Sequence, residues 1–261
     1  MEERVKLVLN NLQAAGAIYN QYADPKSELQ ILEKKSNDFV TQADKEIETL
    51  LSDAILSAFP NDSIVQEEHE NIMGQSEYTW VIDPIDGTNN YARRILDARI
   101  QIALIHDGKI KFGVIYNPVL NEMYIAILGN GAKKVNLTTK EEQTLRVSER
   151  ELSKSLIIFT VALSTSEPLV NNLLRNLQDN IGTVRIYGCA AVAFELIADG
   201  KADGFVTNIA KPMDMAPGAI IIKEAGGYAL DFNGNDWSLE SSDILVANSK
   251  NKDDFLKNVQ K

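Results

Sequence analysis

The stretch Trp80-Val81-Ile82-Asp83-Pro84-Ile85-Asp86-Gly87-Thr88-Asn89 sets two acids beside a phosphate-sized turn. Two carboxylates follow a short apolar run, and a glycine and a hydroxyl come directly after them. Converging carboxylates repel one another unless protons or a cation neutralise them, and hard divalent ions such as Mg²⁺ take oxygen ligands of this kind. Gly87 permits a positive φ and lets an anion approach the backbone closely. The same residues could equally form an ordinary Asp-Pro/Asp-Gly turn in which Asp86 or Thr88 caps a helix. From this stretch alone, both readings stand.

The elements around it must hold it in place. Trp80 to Ile82 reads as a buried strand expected to stop at Asp83, because proline cannot continue a central ladder. Upstream, Val5, Leu9, Leu12, Ala15 and Ile18 mark an amphipathic helix from Glu2 to about Asn20. A strand or loop is expected across Gln30 to Phe39. Thr41 and Asp44 then open a helix in the manner of a capping box, with Ala43, Ile47, Leu50, Leu51 and Ile55 on one face. A short strand begins at Ser63 and runs into Glu67-Glu68-His69. Downstream, Ile100 to His106 and Lys109 to Tyr116 flank Asp107-Gly108 as a hairpin, and Glu122 to Leu128 adds a strand.

The polar stretch from Glu149 to Lys154 is the expected domain junction, dividing an N-terminal α+β region (1–148) from a C-terminal α/β region (149–261). In the second region apolar strand-like runs alternate with helices. Strands are expected at Leu156 to Val161, Val184 to Tyr187, Gly204 to Thr207, near Tyr228, and at Ile244 to Ala247. Helices are expected near Pro168 to Asp179, at Ala190 to Ala198, and at Asp214 to Ala225.

Composition narrows the functional classes. The 261 residues, 44% of them hydrophobic, can bury a large core, and no apolar run approaches a membrane span. The net charge of −11 argues against a nucleic-acid polymer as the main partner, and a small anionic substrate would need cations brought to it. The single cysteine, Cys189, excludes an intrachain disulfide, and the acidic N-terminus lacks a secretory pattern, so a cytoplasmic protein is expected.

Further acids lie at expected element ends: Asp38, Asp44, Glu67, Glu68 and Asp214. Each alone has a plain explanation as a helix cap, a first-turn acid or a solvated strand end. Asp44, Glu67-Glu68, Asp83-Pro-Ile-Asp86-Gly-Thr88 and Asp214-Met-Ala-Pro-Gly218 taken together resemble the inositol monophosphatase family, within the lithium-sensitive, Mg²⁺-dependent sugar phosphatases. The resemblance spans nearly the whole chain, from Asp38 to Glu224-Ala-Gly-Gly227, and is strongest from Trp80 to Tyr91.

The resemblance implies a layered αβαβα sandwich, usually a homodimer, that hydrolyses a small phosphate monoester with water activated by two or three Mg²⁺ ions. Glu67, Asp83 and the carbonyl of Ile85 would hold one ion, and Asp83, Asp86 and Asp214 a second. A third would share Glu67 through water. Thr88, bonded to Asp44, would orient or deprotonate the attacking water, which makes Glu67, Thr88 and Asp44 the expected catalytic residues. The amides of Gly87 and Thr88 would grip the phosphate. The chemistry suits such a site, since a phosphate monoester dianion repels its nucleophile and requires charge neutralisation. His69 and His106 fall outside the matched positions and are expected to be structural or solvent-facing.

Substrate choice is less plainly written. Gly188-Cys189-Ala190-Ala191 matches a family turn whose amides, with Asp214, would contact the substrate; it is also an ordinary glycine turn before a core helix. Inositol-selective relatives carry an acid seven residues before the last ligand, where this chain has Thr207. Met213 replaces a usual tryptophan, Pro217 a common alanine, and Gln66 a frequent glycine. Lys34, Lys35, Arg93, Arg94, Arg99, Arg185 and Lys211 are candidate contacts for a second phosphate, with surface solvation the default for each. An inositol monophosphate leads as substrate, ahead of fructose 1,6-bisphosphate, the 2′-phosphate of NADP and 3′-phosphoadenosine 5′-phosphate. The rival reading is a catalytically silent scaffold that keeps the fold and binds a partner.

Overall fold

The computed structural model describes residues 1–35, 38–160, 175 and 181–259. Helices α1 (Glu2–Ala23) and α2 (Gln42–Ala58) are separated in sequence by a hairpin of β1 (Ile31–Lys35) and β2 (Asp38–Thr41). The chain continues through β3 (Ser63–Gln66), β4 (Tyr78–Asp86), α3 (Thr88–Ala92), β5 (Arg99–His106), β6 (Lys109–Asn117), β7 (Glu122–Ile127), β8 (Ala132–Asn136) and β9 (Glu142–Thr144). Strands β3 to β9 form one seven-stranded sheet in chain order, antiparallel except for the parallel pair β3 and β4.

Beyond it come β10 (Leu156–Phe159), β11 (Thr183–Arg185), α4 (Ala190–Ala198), β12 (Gly204–Thr207), α5 (Pro212–Glu224), β13 (Tyr228–Leu230), β14 (Ile244–Ala247) and α6 (Lys252–Val259). The second sheet has the order β11-β10-β12-β14-β13. The helix expected near Pro168 to Asp179 lies outside the described residues.

Side-chain alternation sorts the core into layers. On β4, Trp80 and Ile82 pack with Leu12, Ile47 and Leu51 of α1 and α2. Val81 points the other way, into a core shared with Phe194 of α4, Ile220 of α5 and Phe205 of the second sheet. Phe255 and Val259 of α6 cover the outer face of that sheet against Ile157, Val206 and Leu245. The result is the αβαβα sandwich. Helix α5 reaches the first sheet closely because β6 carries Gly113 beneath it: an added Cβ there would sit 2.6 Å from Pro217 O and 2.5 Å from Ile220 Cγ2.

One expectation needs correction. Strand β4 does not stop at Asp83 but stays paired with β5 as far as Asp86, through a register shift. Proline is tolerated because β3 has already ended opposite Ile82, so Pro84 has no ladder partner to lose on that side. Asp83 pairs with Gln101 and Asp86 with Arg99, so β4 spends three steps where β5 spends two. In a regular strand, residues three apart face opposite sides. The extra residue of the bulge turns both aspartates to the same side.

Candidate active site

The bulge brings Asp83 and Asp86 to the face that carries α5. Parallel pairing carries Glu67 alongside, since Gln66 is in register with Ile82 and Glu67 follows it as Asp83 follows Ile82. Asp214 arrives from the first turn of α5, where Pro212 fits the opening of the helix and an acid favours the macrodipole. These four acids border one cavity of about 160 Å³ with Ile85, Gly87, Thr88, Asn89, Phe39, Gly188 and Lys211. That is smaller than a drug-sized pocket, on a scale that suits ions and a phosphoryl group.

Gly87 stands at φ 89°, the left-handed region that favours glycine, and caps α3. Thr88 Oγ1 lies 2.9 Å from the Ile85 carbonyl and 3.3 Å from Asp44 Oδ1, two acceptors for one proton. Asp44 lies behind it, fully buried, and its other oxygen accepts from the Thr41 amide at 2.8 Å and the Thr41 hydroxyl at 2.5 Å. Asp86 Oδ2 accepts from the amide of Ala191 at 2.5 Å, from Gln101 Nε2 at 3.1 Å and from the Cys189 thiol at 3.3 Å. At least one amide of the expected substrate-binding turn is thus spent on Asp86.

Gly188 borders the acid-lined cavity. Cys189 and Ala190 instead border a neighbouring one of about 210 Å³, with Thr160, Ile209 and Met215, which shares Asp86, Gly188 and Asp214 with the first. Thr207 is buried, accepts from the Ile209 amide at 3.1 Å and borders neither cavity.

Electrostatically the site is short of positive charge. Burial, then repulsion from Glu67, Asp86 and Asp214, pushes the Asp83 carboxyl well above the usual range. Burial likewise raises Asp214 well above it, with Asp86 and Glu67 adding to the shift and Lys211 opposing it. Asp86 is pushed up to about 6 by burial, against its bonds from Ala191 and Cys189. Burial takes Asp44 to about 7, although the bonds from Thr41 pull it down. Asp83 Oδ1 is buried with no hydrogen-bond partner. An all-oxygen donor set, an orphaned carboxylate oxygen and mutual repulsion suit hard divalent cations in kind and in charge.

The spacing is wider than one coordination shell. Among the described residues, the group of three whose ligand atoms all lie within 4.8 Å of one another is Glu77, His106 and Asp107, at the surface hairpin. In the cavity Asp86 is held by its three donors, and Glu67 Oε1 is engaged by Lys211 Nζ at 3.1 Å. The other candidate cations are committed elsewhere: Arg99 to Glu195, Arg94 to the carbonyls of Tyr22, Asp24 and Ser27, Arg93 to Asn89, and Arg185 to its own strand. The side chains of Lys34, Lys35 and Asp38 lie outside the described residues.

Reading by type and spacing overlooked Glu48. It is fully buried on α2, and its carboxylate accepts from the amides of Glu67, Glu68 and His69 and pairs with His69 Nδ1 at 2.6 Å. Ser52, one turn on, donates to Gln66 at 2.8 Å. Asp44, Glu48 and Ser52 recur every four residues beside the apolar stripe of α2, and a polar row so close to a buried face was the available signal.

Fold and cavity define a layered α/β protein with an acid-lined pocket where the end of β4 meets the first turn of α5. The chain belongs to the inositol monophosphatase family, whose family model matches residues 1–261. It is 34% identical over 221 residues to the putative Nus factor SuhB of Neisseria meningitidis serogroup B, covering 83% of this chain and 82% of that protein. It is 32% identical over 228 residues to the fructose-1,6-bisphosphatase/inositol-1-monophosphatase of Thermotoga maritima, covering 87% and 85%. The crystal structure of the extragenic suppressor protein suhB from Bartonella henselae superposes with a TM-score of 0.91 at 28% identity, over 98% of each chain. No helix among the described residues is long and apolar enough to cross a membrane.

Proposed function

We propose that the chain is a Mg²⁺-dependent phosphomonoesterase acting on a small phosphate ester, with the cavity lying where regions 1–148 and 149–261 meet. The observation that carries this reading is the unpartnered, buried Asp83 oxygen, on a carboxyl raised by burial and by the charges of Glu67, Asp86 and Asp214, beside the left-handed Gly87 turn. Family membership and the name of the Thermotoga relative support it.

Glu67, Asp83 and the Ile85 carbonyl would hold one ion, and Asp83, Asp86 and Asp214 a second, with a third sharing Glu67. Bound there, the ions would neutralise the phosphoryl dianion and make water at the site more acidic. Thr88 donates to Asp44 and accepts from the attacking water, so that a proton moves towards a carboxylate already raised to about 7. The amides of Gly87 and Thr88 and the turn at Gly188 orient the phosphate.

An inositol monophosphate is the first substrate to try. Thr207 supplies no acid for the ring hydroxyls, so fructose 1,6-bisphosphate, the 2′-phosphate of NADP and 3′-phosphoadenosine 5′-phosphate stand beside it. A silent scaffold is disfavoured because each carboxylate of the set and the Thr88/Asp44 pair are retained.

The test is phosphate release from these four esters with Mg²⁺, with EDTA, and in Asp86→Asn. Release from at least one ester, abolished by EDTA and by Asp86→Asn, is expected. Release that ignores chelation would overturn the metal mechanism, and no release from any ester would favour the scaffold.

A further inference from the structure

Lys211 is the residue at this site whose behaviour the phosphatase reading leaves unexplained. It is the N-cap of α5, three residues before Asp214, and among the described residues that line the cavity it is the only cation. Its ammonium sits 3.1 Å from Glu67 Oε1, on a side chain that is 50% exposed, whereas Glu67 is 17% exposed. The acid therefore has one firm place, set by the Glu48 clamp on its backbone, and one mobile partner on a four-carbon stem.

We infer that Lys211 is a tethered counter-ion of Glu67 that competes with the divalent cation for that carboxylate and, once displaced, serves as a contact for the substrate's phosphate. This rests on the phosphatase reading and deepens it. A metal that takes Glu67 must share its carboxylate with the ammonium or displace it, and accept a unit positive charge nearby, so the lysine weakens metal binding. The displaced ammonium remains at the cavity wall, where the next anion to arrive is the phosphoryl group. Metal loading and anion binding are thereby linked through one side chain: the cation frees the lysine, and the lysine then favours the anion.

Isothermal titration calorimetry of Mg²⁺ into the intact protein tests this without turnover. Lys211→Met should bind Mg²⁺ about tenfold more tightly than wild type, a magnitude set by one nearby charge in a half-exposed setting. Lys211→Arg should stay close to wild type. Inorganic phosphate titrated at saturating Mg²⁺ should bind several-fold more weakly to Lys211→Met. In a Glu67→Gln background the Lys211→Met gain in Mg²⁺ affinity should shrink several-fold, since only the through-space repulsion at Asp214 remains. Unchanged or weaker Mg²⁺ binding by Lys211→Met overturns the inference and leaves the phosphatase reading intact, as does a gain that is undiminished without the Glu67 carboxylate. Absence of Mg²⁺ binding in the wild type overturns both.

Discussion

The amide of Glu67 donates to Glu48 Oε2 at 2.8 Å, so one buried acid holds the backbone of another. The next two amides, of Glu68 and His69, turn onto the same carboxylate, and the His69 ring closes the ring of donors at 2.6 Å. Four donors on one side chain fix the turn that follows β3, and with it the height at which Glu67 enters the cavity. His69, expected to be structural or solvent-facing, is structural by this contact.

Glu48→Gln keeps the volume but replaces one acceptor oxygen with a donor that faces N–H groups. Outer residues that orient a ligand typically contribute 10- to 100-fold to metal affinity, so Mg²⁺ binding should weaken by about tenfold or more. Leaving buried amides unsatisfied should also cost about 1 to 3 kcal/mol of stability. Calorimetry and urea unfolding measure the two effects separately. Wild-type Mg²⁺ affinity in a folded Glu48→Gln protein would show that the clamp does not position Glu67.

Metal removal should be visible in stability before any substrate is added. Acids that repel one another in the free chain gain from a bound cation, and a ligand at about 100 times its Kd stabilises by about 2.7 kcal/mol. Thermal unfolding should therefore shift upward with Mg²⁺, return to baseline with EDTA, and respond far less in Asp86→Asn. A melting temperature indifferent to Mg²⁺ would count against the site.

Gly87→Ala should damage site and fold together. At φ 89° a Cβ costs about 1 to 2 kcal/mol from the left-handed conformation alone. It would also meet the Asp97 carbonyl at 2.9 Å and Cys189 Cβ at 3.1 Å, and neither is the free end of a flexible side chain. A drop in stability of about 2 kcal/mol or more in denaturant is expected, with weaker binding of inorganic phosphate. Near-wild-type values for both would mean that the turn tolerates a side chain.

Periodicity carried most of the fold. The apolar stripes of α1 and α2, the Asp107-Gly108 hairpin and the described strands and helices of the second half stand close to where residue spacing puts them. The bulge between Asp83 and Asp86 was not legible, because an extra residue exists only relative to a partner strand, and the pairing with Gln101 and Arg99 is a tertiary fact. Glu48 was hidden for a similar reason, since its donors are backbone amides that carry no side-chain signature. Lys211 reads in sequence as one of seven candidate phosphate contacts with solvation the default, and only the fold singles it out by setting it across from Glu67. The short β8, β9 and α6 went unread, being too brief for a period to stand out.

Asp62 offers a pH-dependent test away from the cavity. Its buried carboxylate takes Arg4 Nε at 2.7 Å and Nη2 at 2.8 Å, the Ser76 hydroxyl at 2.7 Å and Trp80 Nε1 at 3.1 Å, fastening α1 to β4. Burial pushes this carboxyl up, but the bonds from Arg4, Ser76 and Trp80 outweigh it and hold the pKa below its ordinary value. The folded protein therefore releases this proton at lower pH than the unfolded chain does. The stabilisation it confers is complete above the unfolded value of about 3.9 and fades as pH falls through the depressed folded value. Asp62→Asn should lose about 1.5 to 3 kcal/mol at pH 7, the range for hydrogen bonds to a charged group, and the deficit should shrink progressively below about pH 4. Urea unfolding of both proteins from pH 7 to pH 3 measures it. A deficit that stays constant across that range would mean that the charge on Asp62 contributes nothing and that only its shape is needed.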